Sequence, residues 1–253
     1  MQIDSHNTDI IKQFTLQAIP FAEKMEHSDA VELLVNFGQT SALDNVLDVA
    51  CGPGLVLCAF AKIAREATGI DITPTMLELA KKQQQIAGLQ NIQWDLGNVE
   101  NLPYADNSFS IVVSRYSFHH FKQPKRVLQE MYRVCQEKGR ILIADFTLSE
   151  ENLKSFNLME KLRDSSHVQA FSFQAFQNML ENSGLKNIRF TTYKIEMKLE
   201  DQLLASFPNE GDADKIRQLF KDDLIENRMG INARLINNEM YFTYPINVYI
   251  GYK

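Results

Sequence analysis

The spacing of apolar residues predicts alternating strands and helices through most of the chain. Short apolar runs rich in β-branched residues alternate with longer stretches that are apolar at every third or fourth position, and these two periods distinguish strands from helices. The predicted strands lie near residues 45–50, 66–71, 91–96, 109–114 and 140–146. The predicted helices lie near residues 54–65, 74–87, 124–136, 150–164 and 173–183. This alternation is typical of an α/β fold with a mostly parallel sheet.

The two ends of the chain carry additional patterns. Residues 9–38 predict two helices that precede the core. Residues 187–199 alternate as a strand in which a phase slip near Thr192 predicts a bulge, and residues 246–250 alternate as a last strand. Too many residues separate these two strands for a hairpin. We therefore predict a helical N-terminal lid (1–40), a core (41–199), an inserted cap with a helix near 212–228 (200–240) and a final core strand (241–253).

A glycine turn after the first predicted strand carries the clearest chemical signal. The segment VLDVACGPG, residues 46–54, ends in a turn in which Gly52 and Gly54 let a ligand approach the backbone closely. Asp71 ends the next strand, where a carboxylate can accept both hydrogen bonds of a ribose diol. The third glycine of a dinucleotide fingerprint is replaced by Leu57. The turn therefore predicts a nucleoside ligand other than a dinucleotide.

Charge narrows the identity of this ligand. Asp48 precedes the glycine turn, where its charge would repel a pyrophosphate but would suit an amino group and a sulfonium. This combination indicates S-adenosylmethionine. Residues 46–54 resemble the glycine motif of class I methyltransferases, and residues 69–71 (GID) resemble their ribose-binding acidic tip.

The resemblance continues beyond these two motifs. Residues 97–121 and 133–146 resemble later motifs of the ubiquinone/menaquinone-biosynthesis-type methyltransferases, and weaker similarity to a bacterial branch extends nearly end to end. The resemblance implies an S-adenosylmethionine-dependent enzyme with a Rossmann-like, seven-stranded, mostly parallel sheet, an antiparallel last strand and helical caps. Asn98 departs from the aspartate usual in these relatives, which faces the adenine amino group. Its carbonyl can still accept that hydrogen bond.

These motifs and their surroundings assign the predicted site residues. The cofactor-binding residues are Asp48, Ala50, Cys51, Gly52, Gly54, Asp71, Ile72, Met76, Asn98, Val99, Glu100, Ser114 and Arg115. The substrate-binding residues are Phe14, Phe21, Tyr116, His120, Arg163, His167 and Tyr241, with Tyr244 as a further candidate for an aromatic wall. A purely structural role is the alternative for each substrate residue. No metal site is predicted.

His119 is the predicted catalytic residue. Methyl transfer is an in-line displacement at a sulfonium carbon, so the protein chiefly positions the nucleophile and excludes water. A general base is needed only when the nucleophile arrives protonated. His119 follows the fourth strand, at the ligand-binding end of such folds, and the ordinary pKa of histidine lies closest to neutrality. The alternative is that His119 packs beneath the cofactor.

Composition argues against several other classes of protein. The net charge is −6 over 253 residues without a local basic patch, which disfavours a nucleic-acid partner. The longest apolar run, residues 55–61, is too short to span a membrane. The polar N-terminal segment does not resemble a signal peptide, so we predict a cytoplasmic protein. The three cysteines lack metal-ligand spacing and fit a reducing compartment.

The sequence as a whole predicts an S-adenosylmethionine-dependent methyltransferase that acts on a small, partly apolar molecule in a lidded pocket. Methylation of a protein side chain is one alternative, and a non-catalytic S-adenosylmethionine-binding sensor is another. A nicotinamide dehydrogenase is disfavoured by Leu57 and Asp48. The chain could also form a homodimer.

Overall fold

Strands and helices alternate along the chain in this computed structural model. The structure describes residues 5–23 and 30–253, without the side chains of residues 19–23. The strands are β1 (Asn45–Val49), β2 (Glu66–Asp71), β3 (Ile92–Leu96), β4 (Phe109–Arg115), β5 (Cys135–Leu148), β6 (Phe171–Ser172), β7 (Lys186–Lys198), β8 (Arg234–Ile236) and β9 (Glu239–Tyr252). The helices are α1 (Ser5–Glu23), α2 (Val31–Phe37), α3 (Leu55–Ala61), α4 (Pro74–Ile86), α5 (Pro124–Val134), α6 (Leu153–Arg163), α7 (Phe173–Glu181), α8 (Leu199–Ser206) and α9 (Asp212–Glu226). Single 3₁₀ turns occupy Phe118–His120 and Glu150–Asn152.

The sheet confirms the predicted α/β class. Its strands follow the order β3-β2-β1-β4-β5-β9-β7. The first five of these strands run parallel, and β9 is antiparallel to both β5 and β7. The strand count is larger than the predicted seven, because β6 pairs with β5 and β8 pairs with β9 to give nine. These two additions have two and three residues, too few to produce a periodic pattern.

Two expectations for the C-terminal half require correction. The predicted bulge at Thr192 is wrong, since Thr192 pairs with Asn247 in an unbroken register; the irregularity lies between Lys186 and Arg189. Asn187 has a φ of 51° there, and asparagine tolerates this left-handed conformation better than most residues. In addition, residues 200–240 contain α8 and β8 besides the expected helix, which is α9.

Alternation along the central strands buries both faces of the sheet. Val46 and Leu47 are both fully buried but belong to different apolar clusters, because successive side chains of a strand point to opposite faces. The chain order reverses between β1 and β4, and ligands of open α/β sheets bind beyond the carboxyl ends of the strands at such a point. Helix α1 packs against α4 and α8. Within the described ranges, no helix has the length and apolar character needed to cross a membrane.

Candidate cofactor and substrate site

The turn between β1 and α3 has the backbone conformation that its glycines predict. Ala50, Gly52 and Gly54 have φ values of 58°, 51° and 81°, a left-handed region that side chains disfavour. A Cβ at Gly54 would lie 2.6 Å from the Trp94 side chain, whereas a Cβ at Gly52 would meet nothing within 4 Å. Gly54 is therefore required by packing behind the turn, and Gly52 faces open space.

The carboxylate of Asp71 is fixed against this turn. Gly52 N donates to Asp71 Oδ2 and Thr73 N donates to Oδ1, each at 2.8 Å. Burial raises the pKa of Asp71, and the backbone donors of Thr73 and Gly52 oppose the rise. A carboxylate oxygen can accept more than one hydrogen bond. Asp71 is thus oriented by the backbone and still has lone pairs for a diol.

Asp48 presents a buried acceptor next to this turn. Its Oδ2 has no hydrogen-bond partner among the described residues, and the residue is 1% exposed. Burial, followed by the charge of Asp71, raises the pKa of Asp48 well above its ordinary value. Such an acceptor carries an energetic penalty unless a donor or a cation reaches it. The amino group and sulfonium of S-adenosylmethionine have the charge that fits it.

A cavity of about 1000 Å³, its open mouth included, lies in front of the glycine turn. The predicted cofactor residues that line it are Ala50, Cys51, Gly52, Asp71, Ile72, Met76, Asn98, Val99, Glu100 and Arg115. Asp48, Gly54 and Ser114 lie behind this lining. The Ser114 hydroxyl donates to Val49 O at 2.6 Å and hydrogen-bonds to Ser117 Oγ at 2.6 Å, which holds the ends of β1 and β4 together.

Two predicted cofactor residues have local partners that modify their assigned roles. Asn98 Oδ1 accepts from Glu100 N at 2.9 Å, so only its remaining lone pair can serve an adenine amino group. Burial, followed by the charges of Asp71 and Asp48, raises the pKa of Cys51 well above its ordinary value. The Cys51 thiol is therefore a neutral part of the wall and not a nucleophile.

A second cavity of about 650 Å³, its open mouth included, adjoins the first. Phe14, Tyr116 and His120 line both cavities. The second cavity is also lined by Gln17, His119, Phe146, Arg163, Asp164, Ile195, Gln202, Ala205, Ser206, Tyr244 and Ile246. Most of this surface is aromatic or aliphatic, with a few polar groups, as in small-molecule sites.

The structure separates the predicted substrate residues into two groups. Phe14, Tyr116, His120 and Arg163 line the second cavity, together with the predicted base His119 and the wall candidate Tyr244. The remaining three are Tyr241, His167 and Phe21. Tyr241 has the opposite parity to Tyr244 along β9, so it faces the other side of the sheet. His167 is buried behind His119, with ring centroids 5.6 Å apart. The side chain of Phe21 lies outside the described residues.

His119 is held by a carboxylate that the sequence reasoning missed. His119 Nδ1 lies 2.7 Å from Asp145 Oδ1, and His119 N donates to Oδ2 at 3.3 Å. The imidazole stacks on Phe146 at 4.3 Å. Because a carboxylate accepts, Nδ1 carries the hydrogen of this bond, and Nε2 is the ring nitrogen that Asp145 does not contact. The sequence contains one indication of Asp145. This residue follows Ala144, which pairs with Arg115 at the end of the neighbouring parallel strand.

His120 belongs to a second network that the sequence also did not reveal. Its Nδ1 lies 3.1 Å from Ser166 Oγ, which donates to Asp164 Oδ1 at 2.6 Å. Burial and the neighbouring His119 lower the pKa of His120. Burial raises the pKa of Asp164, but His120 and Arg163 outweigh it and hold the pKa below its ordinary value. His120 is therefore a neutral imidazole beside an ionised, hydrogen-bonded carboxylate.

Comparisons with known proteins identify the fold and the cofactor. Residues 47–143 match a methyltransferase domain. The uncharacterized methyltransferase YcgJ of Bacillus subtilis is 33% identical over 155 residues, which are 60% of this chain and 61% of that protein. Its crystal structure has a TM-score of 0.82 at 26% identity and covers 88% of this chain and 97% of that chain. Residues 47–143 therefore form a methyltransferase domain, and the chain has the fold of the class I, S-adenosylmethionine-dependent methyltransferases.

Two further likenesses agree with this assignment. The ubiquinone/menaquinone biosynthesis C-methyltransferase of Haemophilus ducreyi is 33% identical over 169 residues, which are 57% of this chain and 65% of that protein. A Haemonchus contortus phosphoethanolamine N-methyltransferase in complex with S-adenosylhomocysteine shares the fold, with a TM-score of 0.70 at 16% identity over 100% of this chain and 61% of that chain. The sequence alignments thus span less than two thirds of YcgJ and of the Haemophilus relative. The predicted resemblance to methyltransferases, the enzyme class and the cofactor S-adenosylmethionine are confirmed.

Proposed function

We propose that the protein transfers a methyl group from S-adenosylmethionine to a small, partly apolar molecule bound in the second cavity. The adjoining cavities carry this proposal, because Phe14, Tyr116 and His120 form part of the wall of both. A ligand in the second cavity would therefore lie next to a cofactor in the first. The volume of about 650 Å³ is within the range of small-molecule sites.

Helix α1 supports the proposal of a lid. His6 Nε2 donates to His120 O at 2.7 Å, and Gln13 Nε2 donates to Ser206 O at 2.6 Å. Phe14 contacts the His120 ring edge-on, with centroids 5.0 Å apart. Residues of α1 line both cavities, which supports a role for this helix in excluding water from the reaction.

The residues around the two cavities have distinct roles in this proposal. S-adenosylmethionine supplies an electrophilic methyl group when it is bound. Asp71 would hold its ribose and Asp48 its positively charged end. The walls of the second cavity orient the acceptor, and such positioning can lower a barrier by roughly 7–11 kcal/mol. His119 Nε2 takes the proton that the nucleophile loses, a contribution of roughly a hundred- to ten-thousandfold.

The proposal includes the predictions from the sequence about substrate type, location and oligomeric state. The protein acts on a small molecule and not on a nucleic acid, it works in the cytoplasm, and homodimerisation is compatible with it. The protein-side-chain and sensor alternatives differ in what they do with S-adenosylmethionine: the first labels a macromolecule, and the second produces no S-adenosylhomocysteine.

A cavity-filling variant tests the role of the second cavity. Ala205 lines that cavity but not the first. Ala205→Leu should leave the affinity for S-adenosylhomocysteine within threefold, and it should abolish turnover of labelled S-adenosylmethionine in a metabolite extract. The matched control is Ala87→Leu at an exposed position, which should change neither. Unchanged turnover in a folded Ala205→Leu protein would show that the acceptor binds elsewhere.

A further inference from the structure

The wall of the second cavity carries charges that are already paired. Arg163 is the one lysine or arginine that lines this cavity within the described part of the chain. Its Nε and Nη2 atoms donate to Glu160 Oε2 at 3.0 and 2.6 Å, and its Nη1 lies 4.0 Å from Asp164 Oδ2. Two buried carboxylates thus face one guanidinium. This wall has no surplus positive charge for an anionic ligand.

Neighbouring hydrogen bonds keep both carboxylates in place. Tyr244 donates its hydroxyl hydrogen to Glu160 Oε1 at 2.6 Å. Gln17 of the lid helix donates to Asp164 Oδ2 at 3.0 Å, and Ser166 N donates to Oδ1 at 2.8 Å. The two carboxylates are buried and positioned independently of any ligand. Their effect on Arg163 is therefore a built-in property of the cavity.

Two adjacent histidines give this wall polar atoms that a ligand can reach. The Nδ1 atoms of His119 and His120 are occupied by Asp145 and Ser166. The two rings lie side by side, with centroids 4.1 Å apart, and both line the cavity. Each ring therefore has Nε2 as its remaining polar atom. Burial lowers the pKa of His120, so the Nε2 atom of this ring is an acceptor. A ligand hydroxyl can donate to this nitrogen.

Aromatic rings lie next to these polar groups in the lining. Phe146 and Tyr244 lie nearly parallel, with centroids 5.8 Å apart and an interplanar angle of 20°, and Phe14 lies on the lid side of the cavity. Flat apolar rings pack well against such surfaces. The cavity thus has an aromatic surface directly beside its two histidine rings.

We propose that Glu160 and Asp164 are specificity-determining residues: they cancel the charge of Arg163, so that the cavity selects an uncharged ring with a hydroxyl group and rejects the same ring with an anionic substituent. This inference rests on the proposed function, because it concerns the substrate of the same site. It identifies Arg163 as part of the wall and not as an anchor for a carboxylate or phosphate.

A pair of matched probes tests the inference on the unaltered protein. Binding of 4-hydroxybenzamide and of 4-hydroxybenzoate is measured by calorimetry with saturating S-adenosylhomocysteine. The two rings are nearly equal in size and differ in charge. We expect the carboxamide to bind at least tenfold more tightly. Equal or tighter binding of the carboxylate would overturn the inference, and so would the absence of binding by both rings. Failure of S-adenosylhomocysteine itself to bind would instead contradict the proposed function.

A single variant tests the role of the acidic residues. Asp164→Asn removes one charge beside Arg163 while its carbonyl can keep the bonds from Ser166. The affinity ratio of carboxylate to carboxamide should rise at least fivefold. Asp222→Asn is the matched control, because Asp222 is exposed on α9 and bonds to Gln218. An unchanged ratio in a folded Asp164→Asn protein would show that Asp164 does not set the charge selectivity.

Discussion

Replacement of Asp71 by alanine should sharply weaken cofactor binding. Two ribose hydroxyls would donate to this carboxylate, and a hydrogen bond to a charged group contributes about 1.5–3 kcal/mol. The lower limit for two such bonds, about 3 kcal/mol, corresponds to a loss of roughly 100-fold in affinity. Asp71 also accepts from Gly52 N and Thr73 N. Asp71→Ala therefore loosens the glycine turn as well, and its melting temperature should fall.

Asp71→Asn separates these two effects. The amide keeps one acceptor oxygen but turns an NH₂ group toward either Gly52 N or Thr73 N, so one of the two backbone bonds is lost. We expect an intermediate loss of affinity, roughly tenfold. The assay is calorimetric titration with S-adenosylhomocysteine. Asp95→Ala is the matched control, because Asp95 lies on the neighbouring strand β3 and does not line the cavity; its affinity should stay within threefold. A loss below threefold in folded Asp71→Ala would refute the assigned role of Asp71.

Four further predictions concern the turn, the adenine contact, the base and the buried histidines. Gly54→Ala should lower the free energy of unfolding by about 1–3 kcal/mol more than Gly52→Ala, because only the former places a Cβ against Trp94; equal chemical denaturation of the two variants would contradict this. Asn98→Leu should weaken S-adenosylhomocysteine binding by about tenfold, whereas Asn98→Asp should preserve or tighten it; calorimetry giving one affinity for both variants would exclude the adenine contact. His119→Gln should lower kcat by roughly a hundred- to ten-thousandfold with S-adenosylhomocysteine affinity within threefold, and a kcat above half that of the unaltered protein would exclude His119 as the base. Burial, followed by the neighbouring imidazoles of His119 and His120, lowers the pKa of His167 to about 2. As pH falls, the unfolded chain therefore binds this proton before the folded one does, so the stabilising effect is present above about pH 6.5 and is lost as pH falls toward 2. Between pH 6 and 4, the free energy of unfolding of His167→Gln should accordingly fall less steeply than that of the unaltered protein, with slopes that differ by about 1.4 kcal/mol per pH unit. Equal slopes in denaturation measurements on the two proteins would show that His167 is not the group involved.

The cofactor half of the site could be predicted from the sequence because it is local. The turn, its glycines and Asp71 lie within one strand–helix–strand unit, where spacing fixes the geometry. The partners of the two histidines could not be found in this way. Asp145 reaches His119 from the next parallel strand, and Asp164 reaches His120 through Ser166 from the loop after α6. Such pairs depend on which strands and loops become neighbours.

The errors in the C-terminal half also have physical causes. Strand β7 lies at the edge of the sheet, where Phe190 is 52% exposed, so no continuous core sets the phase of its apolar residues. The apparent phase slip in the alternating pattern near Thr192 was therefore not a sign of a bulge. Tyr241 and Tyr244 looked equivalent as aromatic residues near the last strand. The period of two along β9 places them on opposite faces.

The destination of the methyl group is the most direct test of the central claim, which is that the second cavity binds a small acceptor. The protein is incubated with methyl-labelled S-adenosylmethionine and an unfractionated cell extract, and the label is measured separately in small molecules and in macromolecules. The account predicts that label appears in a small molecule in amounts equal to the S-adenosylhomocysteine formed. Label retained on protein, or binding without any S-adenosylhomocysteine formation, would contradict it.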